Sequence, residues 1–308
     1  MAYPVSTSIH LFGTDISLNE AITRHAKAGF RFLDFNFLDW QEEASSPFLS
    51  DAWEEWILSA KETADELGVC FNQAHAPVPC LRFGKDLDGL IAAIKRAIRA
   101  CDLLGIRQMV YHAIPTPKSY GSDATWLDFN TRFFGAFIED AKRYNVGICI
   151  ENMWPTLKLF GGVQWNTDIL LELVDSFRDD IVGVCWDTGH GNVTGNGHGN
   201  VVQNHPELLP YGDQYANITR IGKRLRALHI HDNSGVDDDH LMPGHGNIKW
   251  DDVIRALDDI GYEHSFTFEA HNAIRGVPEP LKDTAARLLH DVGVELVNRS
   301  KNGKVFNN

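Results

Sequence analysis

The sequence predicts an α/β fold, a single (β/α)8 TIM barrel that spans residues 1–308. Apolar runs rich in β-branched residues alternate strictly with amphipathic helical runs, and such alternation indicates a parallel sheet with right-handed crossovers. Eight such units in a chain of 308 residues fit a closed barrel better than an open, doubly wound sheet. No glycine-rich phosphate loop follows the first strand, which weighs against a dinucleotide-binding fold.

The predicted strands are short apolar runs, and each is followed by a run with helical spacing. Four of these helical runs end in glycine just before the next strand, as helix C-caps do. The longest predicted irregular stretch follows strand six, at 193–212, and long loops in compact domains are often functional. The eight strands are predicted at residues 5–13, 31–39, 69–77, 107–115, 146–154, 181–192, 225–233 and 264–272.

The composition excludes several classes of protein. The net charge is −14, whereas nucleic-acid binding draws most of its affinity from Lys and Arg that neutralise phosphates. No apolar run reaches the roughly 18 residues of a membrane span, and the N-terminus lacks the pattern of a signal peptide. We therefore expect a cytoplasmic protein that binds neither nucleic acid nor membrane.

Polar residues stand where the predicted strands end, which is where the active sites of such barrels lie. In chain order they are His75, His112, Glu151, Trp154, Asp187, His190, His229, His231, His240 and Glu269. Five other histidines fall in predicted helices or loops, and we expect them to be solvated: His25, His198, His205, His264 and His290.

Carboxylates and imidazoles at the top of an apolar barrel would be costly without partners. Convergence on a divalent cation resolves this cost, because the ion supplies the missing charge. Imidazole and carboxylate ligands suit Mn, Fe, Co, Ni or Zn. The pattern predicts a metal site that includes Glu151, Asp187 and Glu269, with either His229 or His231 as a further ligand. His75 and His112 can bind substrate, bind a further metal or only hydrogen-bond.

The sequence resembles the xylose-isomerase-like (β/α)8 superfamily, which contains sugar isomerases, sugar epimerases and endonuclease IV. The resemblance covers essentially the whole chain. It implies one divalent ion, with Mn preferred and Co, Mg, Fe, Ni or Zn as alternatives, held by Glu151, Asp187, His229 and Glu269. The stretches that carry it are CIENMW, WDTGHGN, LHIHDN, DDDHLMPGHGNIKW and FTFEAHN.

The resemblance also implies an activity and a mechanism. A sugar, a sugar phosphate or another modified sugar would be isomerised or epimerised through a metal-stabilised enediolate, with Glu151 and Glu269 as the acid and base. Relatives are often dimers or tetramers, so we expect a homo-oligomer. Substrate contacts are expected from His75, His112, Trp154, His190, His231 and His240.

The sequence departs from ketose 3-epimerases in two places. Those enzymes carry a further Glu soon after the strand-five ligand, where this chain has Leu157 and Lys158, and often an Arg after the strand-seven His, where it has HDNSGVDDDH. These differences point away from free-ketose 3-epimerisation and leave isomerases of modified sugars and lyases of oxidised C-glycosides open.

Two alternatives come from other functional classes. One is a non-catalytic, sugar-binding subunit that keeps the barrel. The other is a zinc endonuclease like endonuclease IV, whose family uses three zinc ions and nine ligands. The charge of −14 argues against this second alternative. The residues that match all nine ligands are His75, His112, Glu151, Asp187, His190, His229, Asp238, His240 and Glu269.

Overall fold

Eight parallel strands form one sheet in which each strand pairs with its neighbours in chain order. The computed structural model describes residues 3–40, 46–79, 86–155, 163, 165–196 and 206–301. The strands are shorter than the predicted runs because several predicted strand ends are instead loops or 3-10 turns. They are β1 Val5–Ser8, β2 Phe32–Asn36, β3 Cys70–His75, β4 Gln108–Tyr111, β5 Gly147–Glu151, β6 Val182–Asp187, β7 Leu225–His229 and β8 Phe266–Phe268.

The two edge strands of the sheet, β7 and β8, meet and close the barrel. β1 pairs with both β2 and β8, and just beyond β7 the residue Ile230 forms a parallel bridge with Phe268 of β8. The backbone N–H of Ile230 donates to the carbonyl of Thr267 at 2.8 Å, and that of Glu269 donates to the carbonyl of Ile230 at 3.1 Å. The predicted (β/α)8 barrel is therefore confirmed.

Helices follow the strands, with two differences from the predicted pattern. The single helix expected after strand four is two helices, α4 and α5. A helix, α7, begins directly after β6, where we predicted the end of strand six and the start of a loop. The helices are α1 Leu18–Ala28, α2 Trp53–Glu66, α3 Leu87–Leu104, α4 Trp126–Gly135, α5 Ile138–Tyr144, α6 Thr167–Ser176, α7 Thr188–Asn196, α8 Gln214–Ile221, α9 Trp250–Ile260 and α10 Lys282–Asn298.

The segment after β6 is therefore only partly as expected. Of the predicted loop at 193–212, the first residues belong to α7, Pro206–Gly212 form a 3-10 helix, and 197–205 lie outside the described residues. His198 and His205 fall in that undescribed part.

Local signals explain where the helices begin and end. The hydroxyl of Ser17 accepts a hydrogen bond from the backbone N–H of Glu20 and so caps the start of α1. Gly29 ends α1 with a φ of 106°, a conformation that residues with a Cβ rarely adopt. None of the described helices has the length and apolarity needed to cross a membrane.

The barrel interior is small and partly polar beneath the strand ends. Buried Val110, Cys149, Cys185 and Ala227 form a cluster of modest side chains. A polar pair joins two neighbouring strands: the side-chain amide of Gln73 donates to Asp34 Oδ2 at 2.9 Å. The large aromatic side chains pack instead between the sheet and the surrounding helices. The residues that follow the strands therefore occupy the carboxyl end of the barrel.

His25 contradicts the expectation that it is solvated. Its side chain is fully buried on α1, where it packs against Phe12 and Phe30. Nδ1 lies 2.7 Å from the carbonyl of Ala21, so Nδ1 carries the proton. Burial lowers the pKa of the imidazole from 6.5 to about 4. His264 and His290 are half-buried.

The buried imidazole of His25 predicts an acid-sensitive stability. The unfolded chain takes up a proton as the pH falls below 6.5, and the folded chain does so only near 4. Stability is therefore lost through this window, by about 2 kcal/mol between pH 7.5 and pH 5. In His25→Leu this part of the loss disappears. Urea unfolding at the two pH values measures it, with Lys27→Gln on the same helix as control. An unchanged pH dependence in His25→Leu would contradict the prediction.

Candidate metal and active site

A cavity of about 730 Å³ opens at the carboxyl ends of the strands. Its volume lies in the range of pockets that enclose small-molecule ligands. Seven of the ten residues predicted for the site line it: His75, His112, Glu151, Trp154, His190, His240 and Glu269. Asp187, His229 and His231 are buried next to it.

His229 joins two carboxylates from different strands. It is the last residue of β7, and its Nδ1 lies 2.8 Å from Glu151 Oε1 and 3.3 Å from Glu269 Oε2. Burial disfavours charge on both His229 and Glu151. The carboxylates of Glu269 and Glu151 nevertheless raise the pKa of His229 well above its usual range. The imidazole of His229 in turn helps to hold the pKa of Glu151 well below its usual range. The two carboxylates therefore strongly favour a positively charged group at the position of His229.

Asp187 ends β6 and is held from two directions. Its Oδ1 accepts a hydrogen bond from the backbone N–H of His190 at 2.6 Å, which caps the start of α7. Its Oδ2 lies 3.1 Å from His231 Nε2. The carboxylate is fully buried. His231 is also fully buried and does not line the cavity, so its described polar contacts are with acidic groups of the cluster and with α7.

The second oxygen of Glu151 faces the histidines that follow β3 and β4. Glu151 Oε2 lies 3.0 Å from His112 Nε2 and 3.6 Å from His75 Nε2. Although buried, this oxygen makes no hydrogen bond of good geometry with the described residues. The two Nε2 atoms lie 3.2 Å apart. Three polar atoms thus converge on one point.

A third group of possible metal-ligand atoms lies at the loop after β7. Asp238 Oδ2 lies 3.0 Å from His240 Nε2 and 3.4 Å from His190 Nε2. His240 has a positive φ of 47°, which is uncommon for a residue other than glycine. Burial lowers and the contact with Asp238 raises the pKa of His240, to about 9 overall. The conformation of His240 directs Nε2 toward Asp238.

The loop after β7 is fixed by a buried carboxylate. Asp232 is fully buried, and it accepts hydrogen bonds from the backbone N–H groups of Gly244 and Ile248 and from the indole of Trp250. These bonds tie both ends of the loop to the end of β7. These hydrogen bonds therefore hold the loop that carries Asp238 in a fixed conformation.

Three histidines are fixed in one tautomer by backbone carbonyls. Nδ1 of His75 lies 2.9 Å from the carbonyl of Ala76. Nδ1 of His190 lies 2.8 Å from that of Asn152, and Nδ1 of His240 lies 2.6 Å from that of Glu269. A carbonyl only accepts, so Nδ1 carries the proton in each ring. Each ring, when neutral, presents the Nε2 lone pair toward the cluster, as metal-binding histidines do.

Two positioning residues were missed by the sequence analysis. The side-chain oxygen of Asn152 accepts from the backbone N–H of Asp187 at 2.7 Å, so Asn152 joins the ends of β5 and β6. The hydroxyl of Thr188 donates to the carbonyl of His231 at 2.9 Å. The only sequence signal was their place directly after Glu151 and Asp187.

Aromatic rings cover the histidines of the site. Trp154 lies against His190 with ring centroids 4.5 Å apart. His231 stacks on His240 at 4.1 Å, and His240 stacks on His271 at 4.2 Å. Trp154 also lines the cavity, and its contact with a substrate stays a prediction. Leu157 and Lys158, where ketose 3-epimerases carry the further Glu, lie outside the described residues.

The donor set fits a divalent cation. One ligand atom from each of Glu151, Asp187, His229 and Glu269 lies within 4.8 Å of the others. In the described parts of the chain, no Lys or Arg comes within 4.0 Å of these carboxylates, and the partners of all three acids are histidines. A cation would supply the missing charge and a partner for Glu151 Oε2.

The chain is thus a parallel (β/α)8 barrel whose strand ends carry imidazoles and carboxylates that could hold a metal ion. A family model described as the xylose isomerase-like TIM barrel matches residues 22–290. The chain belongs to this family, which agrees with the resemblance read from its motifs.

Individual relatives are distant. The uncharacterized protein MJ1311 of Methanocaldococcus jannaschii is 28% identical over 183 residues, 59% of this chain and only 57% of that protein. The probable endonuclease 4 of Methanoculleus marisnigri is 25% identical over 271 residues, 85% of this chain and 86% of that protein. A solved D-tagatose 3-epimerase-like protein superposes with a TM-score of 0.69 at 24% identity, over 97% of this chain and 98% of that chain. At this identity the superposition shows a common fold.

The convergence on His229 predicts that it is needed for metal binding. In His229→Gln we expect Mn²⁺ affinity to fall by more than about 100-fold, because losing even a residue that only orients a ligand costs about 10- to 100-fold. Calorimetric titration of metal-free protein with Mn²⁺ measures the affinity. His271→Gln, at the cavity but outside the four-residue group, is the matched control. Equal affinities in the two variants would contradict the prediction.

Proposed function

We propose that the protein is a metal-dependent sugar isomerase or epimerase that works by proton transfer between two carboxylates. The observation that carries this proposal is the arrangement of Glu151 and Glu269. They come from β5 and β8, line the same cavity, and approach one imidazole, His229, within 2.8 and 3.3 Å. Proton transfer at a sugar carbon needs a base and an acid close to a single centre.

Four residues would hold the ion: Glu151, Asp187, His229 and Glu269. We propose Mn²⁺ as the ion, with Co, Mg, Fe, Ni or Zn as alternatives that the same ligand types accept. A bound ion would supply Lewis acidity at the oxygens of the reacting sugar and so lower the cost of negative charge there.

The two carboxylates then have separate tasks. The low pKa of Glu151 keeps its carboxylate ionised, which is the form that a general base needs. The side chain of Glu269 is 16% exposed, against 1% for Glu151, so Glu269 is the more open to the cavity. One carboxylate removes the proton from the sugar carbon and the other returns it. The reversible reaction exchanges these tasks.

The surrounding side chains would orient the sugar. His190 is fixed through Nδ1, and its ring lies under Trp154. His75, His112 and His240 line the same cavity. Their Nε2 atoms are suited to hydrogen bonds with hydroxyl groups. His231 supports Asp187 from below and would act on the substrate only through that carboxylate.

Glu151→Gln and Glu269→Gln test this mechanism. Each variant keeps an oxygen that can face the ion but cannot transfer a proton, so kcat falls by about 10²- to 10⁴-fold. The measurement is deuterium exchange at the reacting carbon on a panel of ketoses and ketose phosphates, at saturating Mn²⁺. Glu263→Gln, on the surface before β8, is the matched control. Activity within tenfold of the parent in both variants would exclude a mechanism with two carboxylates.

A second candidate function is metal-dependent cleavage of DNA at abasic sites. The observation that favours it is a set of overlapping donor groups: beyond the four-residue group, His75 joins Glu151 and His229, and Asp187 joins His190 and His231. Asp238 contacts His190 and His240 as well. The match to a probable endonuclease 4 agrees with this candidate. The net charge of −14 opposes it.

Metal stoichiometry separates the two candidates. We expect one tightly bound ion per chain by elemental analysis of the purified protein, and no cleavage of a duplex with an abasic site. Three tightly bound zinc ions together with cleavage would establish the nuclease instead. Protein denatured and refolded in chelator, then dialysed, provides the metal-free baseline.

A further inference from the structure

The two sides of the cavity differ in charge. On one side lie the acids and histidines that follow β5, β6 and β7, and Glu269 at the end of β8 completes their group. On the other side the loops after β8 and β1 are neighbours, because these strands pair. They contribute Arg275, Lys282 and His10 to the lining. We refer to these three residues as the β8–β1 rim.

Arg275 carries the positive charge of the rim. Its side chain is exposed, and no carboxylate among the described residues forms an ion pair with it. Arg275 is the only arginine among the described residues that line the cavity. Lys282 Nζ lies 2.8 Å from Glu279, but Glu279 also contacts Arg24 at 2.7 Å. Asp283 also lies 2.7 Å from Arg24, so two carboxylates balance Arg24 and Lys282, and Arg275 is the cation of the rim that has no acidic partner among the described residues.

His10 supplies an independent sign that a ligand binds here. Its Nδ1 lies 2.6 Å from Asp39, and its side chain is only 9% exposed. Its other ring nitrogen, Nε2, is buried at the cavity and has no hydrogen-bond partner among the described residues. Buried polar atoms normally have a partner. Asp39 also lines the cavity and is held by this contact with His10.

We propose that the β8–β1 rim binds an anionic group of the substrate, a phosphate or a carboxylate, through Arg275 and Lys282. The carbonyl end of the same sugar faces Glu151 and Glu269, and His10 Nε2 hydrogen-bonds a polar group between the two ends. This inference rests on the proposed function and names its substrate class, an anionic sugar. Guanidinium and ammonium groups are the side chains that bind such anions. In (β/α)8 enzymes, phosphates are frequently bound by loops after the last strands.

Binding measurements on the metal-loaded, full-length chain test the proposal. Calorimetry compares a ketose phosphate, a sugar carboxylate and the corresponding neutral sugar, in the parent, Arg275→Gln, Lys282→Gln and the double variant. The double variant is expected to bind the anionic sugar about 10- to 100-fold more weakly, since hydrogen bonds to charged groups are lost. Its affinity for the neutral sugar stays within about twofold. Lys223→Gln removes one charge just before β7, at the opposite end of the barrel, and is the matched control.

Each outcome decides a specific question. The anionic sugar that loses more affinity in the double variant identifies phosphate or carboxylate as the group bound. Equal binding of anionic and neutral sugars by the parent, or no effect of the double substitution, would overturn the proposal. Turnover measured on the same sugars separates the two ideas. Rim-dependent binding without turnover of any sugar contradicts the proposed function alone. Turnover of an anionic sugar that the rim variants leave unchanged contradicts the rim proposal alone.

Discussion

The contact of one imidazole with two carboxylates organises the active end of this barrel. His229 lies between Glu151 and Glu269, and these three residues come from β7, β5 and the end of β8. Acids that approach each other this closely repel unless positive charge lies between them. In the described chain only imidazoles provide that charge. Histidines from β3 and from the segments after β4, β6 and β7 surround these acids and Asp187.

The supporting contacts show how the backbone meets that requirement. Asn152 bridges β5 and β6, and Thr188 binds the carbonyl of His231 after β7. Asp232 gathers the backbone donors of the following loop. All three residues directly follow a strand end or lie within three residues of one. Neighbouring strands are therefore fixed relative to each other at the ends where the candidate ligands stand. A shift of one strand would displace several of these residues at once.

The fold was predictable because its signal is a repeat along the whole chain. Eight alternations of apolar and amphipathic runs leave few other architectures for 308 residues. The positions of Glu151 and Asp187 were predictable for a related reason, since a polar residue that ends an apolar run must lie at the rim of the sheet. Their convergence near His229 follows from barrel closure. Their roles in metal binding and catalysis remain predictions.

Other features depend on contacts that no local pattern shows. Helix α7 has the glycine-rich sequence TGHGNVTGN, which disfavours a helix on intrinsic preference. It forms against its neighbours: an added Cβ on Gly189 would overlap the ring of His231, and one on Gly191 would overlap Trp186. His25 was misjudged from its residue type, although its spacing with Ala21, Ile22 and Ala28 places it on the buried face of α1. Arg275 reaches the cavity only through the path of a long loop.

At the point where the barrel closes, one residue has two roles, one for its backbone and one for its side chain. Glu269 joins the last strand to the segment after β7 through its backbone N–H, which donates to Ile230, while its carboxylate belongs to the ligand group. Barrel closure therefore depends on the backbone of Glu269 and not on its side chain. Descendants of such a barrel can exchange this side chain, and with it the chemistry at the rim, while the same amide continues to hold the wall together.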